Sequence, residues 1–378
     1  MYSRVAGEEG KSSIMYDSSP NSYHGMAHLG TCCSGTGTIH LALHKPTDTM
    51  VVVKKFYIDD RTPEDYNLVE REIIVTRQLQ HPNVLPYLAT FVSGHSVCVV
   101  SPPMGFGSCQ DLIEEHFPVG LPEVAVAFIL KDVLQGLEYI HKRGFVHRAI
   151  KASHILISSM GQACLSGMRY ACEIVKNGRW QKNIYCFPSS TANNLKWLSP
   201  ELLLQDLHGY NEKSDIYSLG ITICELANGV APFTGVPATL MLTEKVRGRA
   251  PHIIDCKLPK HAEHENTNDG DAGSSNSTLA AIGESILEHF SSRKFSESFH
   301  SITVQCLHRD PSNRPSTSQL SSHPFFKQCR KSDETVVDIF KSVPKIGRRD
   351  VDSAGDYGVA MSAEQLANLD LQSCHWDF

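Results

Sequence analysis

The sequence predicts an α+β fold, in which a sheet-rich N-terminal lobe carrying one helix is followed by a mainly helical lobe. The first lobe is indicated by strand periodicity, since every second residue from Ile39 to Leu43 is a large aliphatic. From Pro122 the period changes to three or four residues, which is typical of a helix with one buried face. The residues that set this period are Val126, Ile129, Val133, Leu137 and Ile140.

The N-terminal lobe begins with a hairpin, in which a Lys-Pro-Thr-Asp turn at 45–48 leads into the β-branched run 51–53. A helix is predicted to begin at Thr62, because this capping residue precedes Pro63 and an acidic residue follows three positions later. Two further strands are expected at 84–91 and 97–100. Together these elements complete a lobe built mostly of sheet.

The second lobe is expected to contain the long helix that Gly144 closes and further helices around 216–229 and 302–309. The stretch 263–278 contains no apolar residue larger than alanine, so it is predicted to be a solvated loop. We therefore divide the chain into three parts. These are a disordered leader at 1–21, a folded domain at 22–327 and a mostly disordered tail at 328–378.

Composition excludes several classes of function. The 35 basic and 41 acidic residues give a net charge of −6, which provides no field for nonspecific binding of nucleic acid or anionic membranes. The 12 cysteines show no C-x-x-C spacing, so neither a disulfide framework nor a zinc site is indicated. No apolar run reaches the roughly 18 residues that a membrane helix needs. We expect a cytoplasmic protein, with nuclear shuttling left open.

A series of motifs appears in a fixed order along the chain. A lysine follows the strand 51–53, a glutamate lies on the first helix, and His-Arg, Ser-Pro-Glu, Asp-Ile-Tyr-Ser-Leu-Gly and a late arginine come after them. This order and spacing resembles that of protein kinases between about residues 22 and 327, which implies a bilobal kinase-like fold. The residues that carry the resemblance are Lys54, Glu72, His147, Arg148, Glu201, Asp215 and Arg314.

The residues that would perform phosphoryl transfer are missing from this series. Kinases end the His-Arg-Asp motif with the carboxylate that accepts the substrate's proton, and this chain has Ala149 there. His154 occupies the position of a metal-binding asparagine, and Gly167-Met168-Arg169 replaces the metal-binding Asp-Phe-Gly. We expect no catalytic residue, no metal site and negligible phosphotransfer. The alternative is an active sterile-20-like serine/threonine kinase with non-standard catalytic residues.

Nucleotide binding is a separate expectation. The kinase resemblance implies that Lys54 reaches the phosphates of ATP and pairs with Glu72. Because the cation ligands are missing, we expect this binding not to depend on magnesium. In the segment between the lobes Pro103 lacks a backbone N–H, whereas Met104 retains one for adenine. The glycine loop is one residue longer than the usual G-x-G-x-x-G, so phosphate contact and a plain flexible hairpin both stay open. The predicted nucleotide-binding residues are Gly30, Gly35, Gly37, Lys54, Glu72, Met104 and Lys151.

The remaining kinase-like residues are expected to be structural. Glu201 and Arg314 match the ion pair that joins the activation segment to the lower lobe, and His147, Arg148 and Asp215 belong to the same framework. Their retention favours an ordered domain.

One family is resembled closely, including at the altered positions: the sterile-20-related adaptor (STRAD) pseudokinases. The chain departs from the vertebrate pattern at Lys54, where arginine is expected, and at Ala149, where serine is common. The resemblance implies an adaptor that binds and allosterically activates a serine/threonine kinase of the liver kinase B type, upstream of AMP-activated-kinase signalling. It also implies that Trp376 and Phe378 dock on an armadillo-like scaffold of the mouse protein-25 family. The sequence does not decide whether Ser189, Ser190 or Thr191 is phosphorylated.

Overall fold

The computed structural model describes residues 16–32, 35, 37–58, 62–187, 193–256 and 293–346. These residues form two compact units, one drawn from 16–58 and 87–103 and the other from 62–86 and 104–346. The predicted solvated loop at 263–278 lies outside the described residues. The sheet and the helices agree with the predicted α+β class.

The first unit is an antiparallel sheet. Its strands are β1 (Tyr23–Cys32), β2 (Gly37–His44), β3 (Thr49–Tyr57), β4 (Ala89–Ser93) and β5 (Ser96–Ser101), in the spatial order β1-β2-β3-β5-β4. The pairing of β2 with β3 confirms the hairpin around the turn at 45–48. Ala42, Val51 and Val100 are buried on one face, where alternation of apolar residues places them together.

Two details of this unit differ from the sequence-based expectation. The predicted leader extended to residue 21, but the ring of Tyr16 packs 4.9 Å from that of His44, so the folded region begins earlier. The strand expected at 84–91 begins only at Ala89. Pro86 interrupts it because proline has no N–H to donate, and Val84 instead bridges to Leu165 in the second unit.

The second unit is mainly helical and contains the helix predicted to begin at Thr62. Its helices are α1 (Pro63–Arg77), α2 (Cys109–Glu115), α3 (Glu123–Lys142), α4 (Pro200–Leu203), α5 (Lys213–Asn228), α6 (Ala238–Arg247), α7 (Glu297–Cys306), α8 (Thr317–Ser321), α9 (Gln328–Lys331) and α10 (Val336–Ile339). Its short strands are β6 (Gly107–Ser108), β7 (Phe145–Val146), β8 (Ile155–Ile157), β9 (Ala163–Leu165), β10 (Cys172–Glu173), β11 (Val175–Lys176) and β12 (Arg179–Trp180).

Helices α3 and α5 form the centre of this unit. The predicted apolar stripe of α3 is buried, and Gly144 follows the helix with φ +83°, as a glycine that closes a helix does. Nearly every residue of α5 is buried, and Gly229 closes it in the same left-handed conformation. Strands β6, β8 and β9 form a small sheet that fixes the loop 147–154 at one end and Gly167 at the other. Within the described ranges, no helix is long and apolar enough to cross a membrane.

The beginning of the predicted disordered tail is folded. Phe340 is fully buried, with its ring 5.6 Å from that of Phe106 and 5.5 Å from that of Phe117. The backbone N–H of Ile346 donates to the carbonyl of Gly105 at 2.7 Å. The folded region therefore extends beyond residue 327 as far as residue 346, because apolar residues spaced along a polar segment anchor it to the lobe. Residues after 346 lie outside the described part of the chain.

Candidate functional site

A loop between β7 and β8 carries the residues that match the kinase catalytic loop, and Asp215 of α5 holds it. The backbone N–H groups of His147 and Arg148 each donate to an Asp215 carboxylate oxygen at 2.8 Å, and His141 Nε2 donates to the same carboxylate at 2.8 Å. Burial would raise the pKa of Asp215, but these hydrogen bonds and the nearby imidazoles hold it below its usual value. The carboxylate can therefore stabilise Arg148 at its unusual φ of +60°.

The side chain of Arg148 connects this loop to the segment that follows β12. Its Nε donates to the carbonyl of Tyr170 at 2.6 Å, and its Nη1 donates to the carbonyl of Cys186 and the hydroxyl of Tyr210. Tyr210 in turn donates to the Cys186 carbonyl at 2.6 Å. Burial raises the pKa of Tyr210, so its hydroxyl keeps the proton that it donates. The guanidinium is thus bonded to neutral oxygens of this chain.

Ala149 occupies the position of the catalytic base. The residue is 1% exposed, and its carbonyl accepts a hydrogen bond from His154 Nδ1 at 2.7 Å. Its methyl group cannot accept a proton or bind a cation. The backbone at this position is therefore held in the loop, while the side chain carries no group that could act as a base.

The imidazole of His154 lies where a side chain at position 167 would project. Gly167 has φ +83°, and a Cβ atom added to it would lie 2.7 Å from His154 Cγ and Nδ1. Real Cβ contacts do not come so close, so the imidazole and an aspartate at 167 exclude each other as the loop stands. Burial and the charge of Lys151 lower the pKa of His154 well below its usual value, which favours the neutral ring. The two altered metal-ligand positions are thus coupled by packing.

Arg169, the third residue of the altered motif, pairs with the helix glutamate. Its Nε lies 3.1 Å from Glu72 Oε2, and both side chains are buried. The sequence analysis did not match Arg169 to Glu72. The sequence does contain a signal for this ion pair, because a buried glutamate needs a cationic partner and position 169 is basic where kinases have glycine.

The predicted nucleotide-binding residues are divided between the two units. Gly30, Gly35, Gly37 and Lys54 belong to the first unit, where the Lys54 ammonium lies 4.9 Å from the centre of the Phe56 ring. A Cβ at Gly37 would lie 2.8 Å from Cys32 Sγ, so packing already requires glycine there. Met104 is buried against Leu85 and Cys164 in the second unit, which also contains Glu72 and Lys151. The pairing of Lys54 with Glu72 stays a prediction.

Lys151 leads to a group of residues that sequence reasoning missed. Its ammonium donates to the carbonyl of Asn193 at 3.2 Å and lies 5.2 Å from the centre of the Trp197 ring. The indole N–H of Trp197 donates to Glu225 Oε2 at 2.9 Å, and the same oxygen accepts from the backbone N–H of Ala152 at 3.0 Å. Glu225 therefore joins α5 to the loop and to the segment before α4. No sequence motif marks it, because it lies inside an apolar helix.

Glu201 and Arg314 form a bidentate ion pair. The two N–O distances are 2.6 and 2.9 Å, and Ser214 Oγ donates to the same carboxylate at 2.9 Å. Both charged side chains are buried, so each depends on the other for its hydrogen bonds. The pair joins the start of α4 to the region before α8. Trp376, Phe378, Ser189, Ser190 and Thr191 lie outside the described residues.

Comparison with known proteins extends over most of the chain. The protein kinase domain model matches residues 23–326. The STE20-related kinase adapter protein alpha of Mus musculus is 40% identical over 354 residues, covering 90% of this chain and 81% of the mouse protein. The Homo sapiens alpha protein gives the same identity and coverage. The Homo sapiens STE20-related kinase adapter protein beta is 38% identical over 331 residues, covering 85% of this chain and 79% of that protein.

Proposed function

This chain belongs to the protein kinase family and, within it, to the STE20-related kinase adapter proteins, and on this basis we propose that it is a catalytically inactive adaptor that activates a serine/threonine kinase allosterically. The observation that carries the proposal is the packing of His154 against Gly167. This packing fills the space that a metal-binding aspartate would need, at the same time as Ala149 removes the base. Restoring one residue alone does not restore the chemistry.

Activation would work by population shift. A protein that binds only the active conformer of a kinase stabilises that conformer by the difference between its affinities for the two states. A difference of about 2–3 kcal/mol corresponds to a roughly 30- to 150-fold bias. The ordered framework around Asp215 and the Glu201–Arg314 pair supports this role, since a rigid surface loses little entropy when it binds.

The donor set in this chain fits ATP better than it fits magnesium. A polyphosphate is bound by cations, and Lys54 and Lys151 supply positive charge. Magnesium prefers oxygen ligands, which residues 149, 154 and 167 lack. We propose that these cations hold the phosphates and that bound ATP supplies binding free energy to the folded state.

The partners are proposed by family resemblance. The kinase would be of the liver kinase B type, upstream of AMP-activated-kinase signalling, and would meet the substrate-like groove and the activation segment of this chain. Trp376 and Phe378 would bury their aromatic rings in an armadillo-like scaffold of the mouse protein-25 family. Such a complex would work in the cytoplasm, with shuttling to the nucleus.

The first test is reconstitution. Purified chain is mixed with a liver-kinase-B-type kinase and the scaffold, and kinase activity is measured with and without this chain. We expect activity to rise at least 10-fold, and phosphate incorporation by this chain alone to stay at background with several substrates and metals. Robust phosphate incorporation that is lost on Lys54→Ala would instead support the alternative of an active kinase.

The second test concerns the nucleotide. ATP is expected to raise the thermal midpoint of the chain equally with magnesium and with a chelator, because no carboxylate stands at the metal-ligand positions. The matched variant is Lys54→Met, which should reduce the shift. A shift that requires magnesium would contradict the proposed mode of binding.

The third test concerns the tail. Capture of the scaffold is measured for this chain and for a Trp376→Ala, Phe378→Ala double variant. We expect the double variant to lose most of the capture, because truncating aromatic anchors typically costs 2 kcal/mol or more, roughly 30-fold in affinity. Unchanged capture would exclude this docking site.

A further inference from the structure

A cleft of about 620 Å³ opens on the second unit between the end of α3, the start of α5, the start of α8 and the β11–β12 hairpin. Its volume lies in the range of pockets that hold ligands. Apolar side chains from three of these parts of the chain form much of its wall, namely Phe145, Val146, Ile174 and Ile216. The altered positions 149, 154 and 167 do not line it, so the cleft is distinct from the site described above.

The hairpin beside the cleft has a defined conformation. Its two turn residues, Asn177 and Gly178, have φ of +51° and +71°, the pair of positive values that a type I′ turn needs. At its base, the backbone N–H of Gln181 donates to the carbonyl of Ile174 at 2.9 Å, and the N–H of Ile174 donates to the carbonyl of Gly144 at 2.8 Å. A hairpin fixed in this way loses little conformational entropy when a partner binds to it.

Trp180 lies on the last strand of this hairpin and lines the cleft. Its side chain is 60% exposed, which leaves most of a large aromatic surface in water. An isolated exposed apolar side chain needs no explanation, but this one borders a cleft with apolar walls. Tryptophan is also among the residues that most often carry the binding energy of an interface. Trp180 is therefore placed as an anchor for a bound chain.

The rim of the cleft is basic. It carries four exposed cations that form no ion pair within the part of the chain that the structure describes: Arg143, Lys176, Arg179 and Lys182. Lys142 also lies there, but its ammonium is 2.7 Å from the carboxylate of Glu138. The acidic side chains nearby are the exposed Glu173 and the half-buried Glu212. Positive charge thus exceeds negative charge here, although the whole chain carries a net charge of −6.

We propose that this cleft binds an acidic peptide segment of a partner protein, with one apolar side chain of the peptide inside the cleft. The apolar side chain would pack on Trp180 and the wall, while carboxylates on either side of it would meet Arg179, Lys182 and the other cations of the rim. This site goes beyond the proposed adaptor function, because it shares no residue with the nucleotide site or with the tail.

The shape of the cleft favours a peptide over other polyanions. A lipid surface carries negative charge but cannot send a side chain between α3 and α5. A nucleic acid carries phosphates, for which the apolar wall offers no donor, and the net charge of the chain opposes its long-range attraction. A peptide supplies both carboxylates and an apolar group from one short segment.

The first measurement is direct binding to the full chain. The probe is a fluorescein-labelled peptide of about 12 residues, made of glutamate and aspartate around a central phenylalanine and leucine, and its anisotropy is followed. We expect a Kd on the order of 10–100 μM at low salt, which should rise at least 3-fold on going from about 50 to about 300 mM salt, because exposed charges are screened. The same peptide with glutamine and asparagine in place of the acids should bind at least 10-fold more weakly.

Two variants locate the binding. The charge-reversing double variant Arg179→Glu, Lys182→Glu and the single variant Trp180→Ala should each weaken binding about 10-fold or more. All three side chains are exposed, so both variants should keep the wild-type unfolding midpoint. The matched controls are Lys327→Glu, an exposed cation outside the cleft, and Leu207→Ala, an apolar side chain that is 93% exposed. Both controls should bind the peptide with wild-type affinity.

Several results would overturn the inference. These are no binding by the wild-type chain, equal binding of the neutral peptide, and undiminished binding by either cleft variant. Equal weakening by Lys327→Glu would also overturn it, since the peptide would then respond only to the overall charge. Vesicles that contain phosphatidylserine and a single-stranded oligonucleotide serve as competing probes. Tighter binding of either probe, lost in the cleft variants, would assign the surface to another class of partner and overturn the peptide.

Discussion

Two regions of the second unit differ in whether they retain the polar residues of the kinase pattern. Around Asp215 and in the Glu201–Arg314 pair, buried charged side chains are hydrogen-bonded to the segments that they hold. At positions 149, 154 and 167 the oxygens that a kinase uses for chemistry are gone. The space is filled by a methyl group and by an imidazole packed on a glycine. Holding the loop and performing phosphotransfer are therefore separate requirements, and on the proposed function this chain meets only the first.

The largest expected effect lies in the preserved region. Arg314→Met leaves the Glu201 carboxylate buried without its cation, and breaking a buried pair in this way typically costs about 3–5 kcal/mol. We expect a loss of that size in the free energy of unfolding, measured by urea denaturation. The control is Arg309→Met, since Arg309 is exposed and should change stability little. Equal effects of the two substitutions would show that the ion pair does not hold the lobe.

The next effect depends on pH. Burial raises the pKa of Glu225 from its ordinary value of 4.5 to about 7, so the folded chain binds more protons than the unfolded chain between these values. The stabilisation from Glu225 is therefore lost as pH rises through this window. Relative to Glu225→Gln, the wild-type chain should lose up to about 3 kcal/mol between pH 5 and pH 8. A stability difference that is the same at both values would contradict the raised pKa.

A smaller effect is expected at the altered metal-ligand positions. Gly167→Asp should lower the free energy of unfolding by about 2–3 kcal/mol. The substitution adds a side chain to a left-handed backbone and forces it against His154. The matched control is Gly178→Asp, where φ is +71° but a Cβ would meet nothing within 4 Å. The loss of unfolding free energy in Gly167→Asp beyond that in Gly178→Asp measures the steric clash with the His154 imidazole.

A double-mutant cycle isolates that clash. Gly167→Asp should cost less in a His154→Ala background than in the wild-type chain, with a coupling energy of about 1–2 kcal/mol. Additive costs would mean that His154 does not occupy the space of the missing carboxylate.

The smallest effect is expected at Ala149. Ala149→Ser should change the free energy of unfolding by less than about 1 kcal/mol, because it adds one oxygen without altering the backbone. Phosphate incorporation should stay at background, since a serine hydroxyl is not a base and the metal-ligand positions are unchanged. Measurable phosphate transfer by this variant would show that the substitution at position 149 alone accounts for the absence of activity.

The sequence was sufficient to predict much of the fold and to locate the positions that differ from the kinase pattern. Strand alternation in β2, the cap at Thr62 and the stripe of α3 are local patterns, so they could be predicted from neighbouring residues. The altered positions were also visible, because Ala149 and His154 stand at fixed spacings from His147. Such features depend on short stretches of chain.

The remaining features depend on residues far apart in the chain. Glu72 and Arg169 are 97 positions apart, and Lys245 reaches a carbonyl 49 positions away. No periodicity predicts such a pairing, because it is decided by which helices pack together. The ordered segment up to residue 346 was missed for a similar reason, since its few apolar residues gain their stability by packing on the lobe, as Phe340 does on Phe106 and Phe117.

The most direct test of the central claim compares two mixtures. In the first, the activity of the partner kinase is measured in a complex with the wild-type chain. In the second, phosphate transfer by the wild-type chain is measured in the presence of an inactivated kinase. The account predicts at least a 10-fold rise in partner activity in the first mixture and no transfer of phosphate in the second. Robust transfer in the second mixture, by homogeneous material, would contradict it.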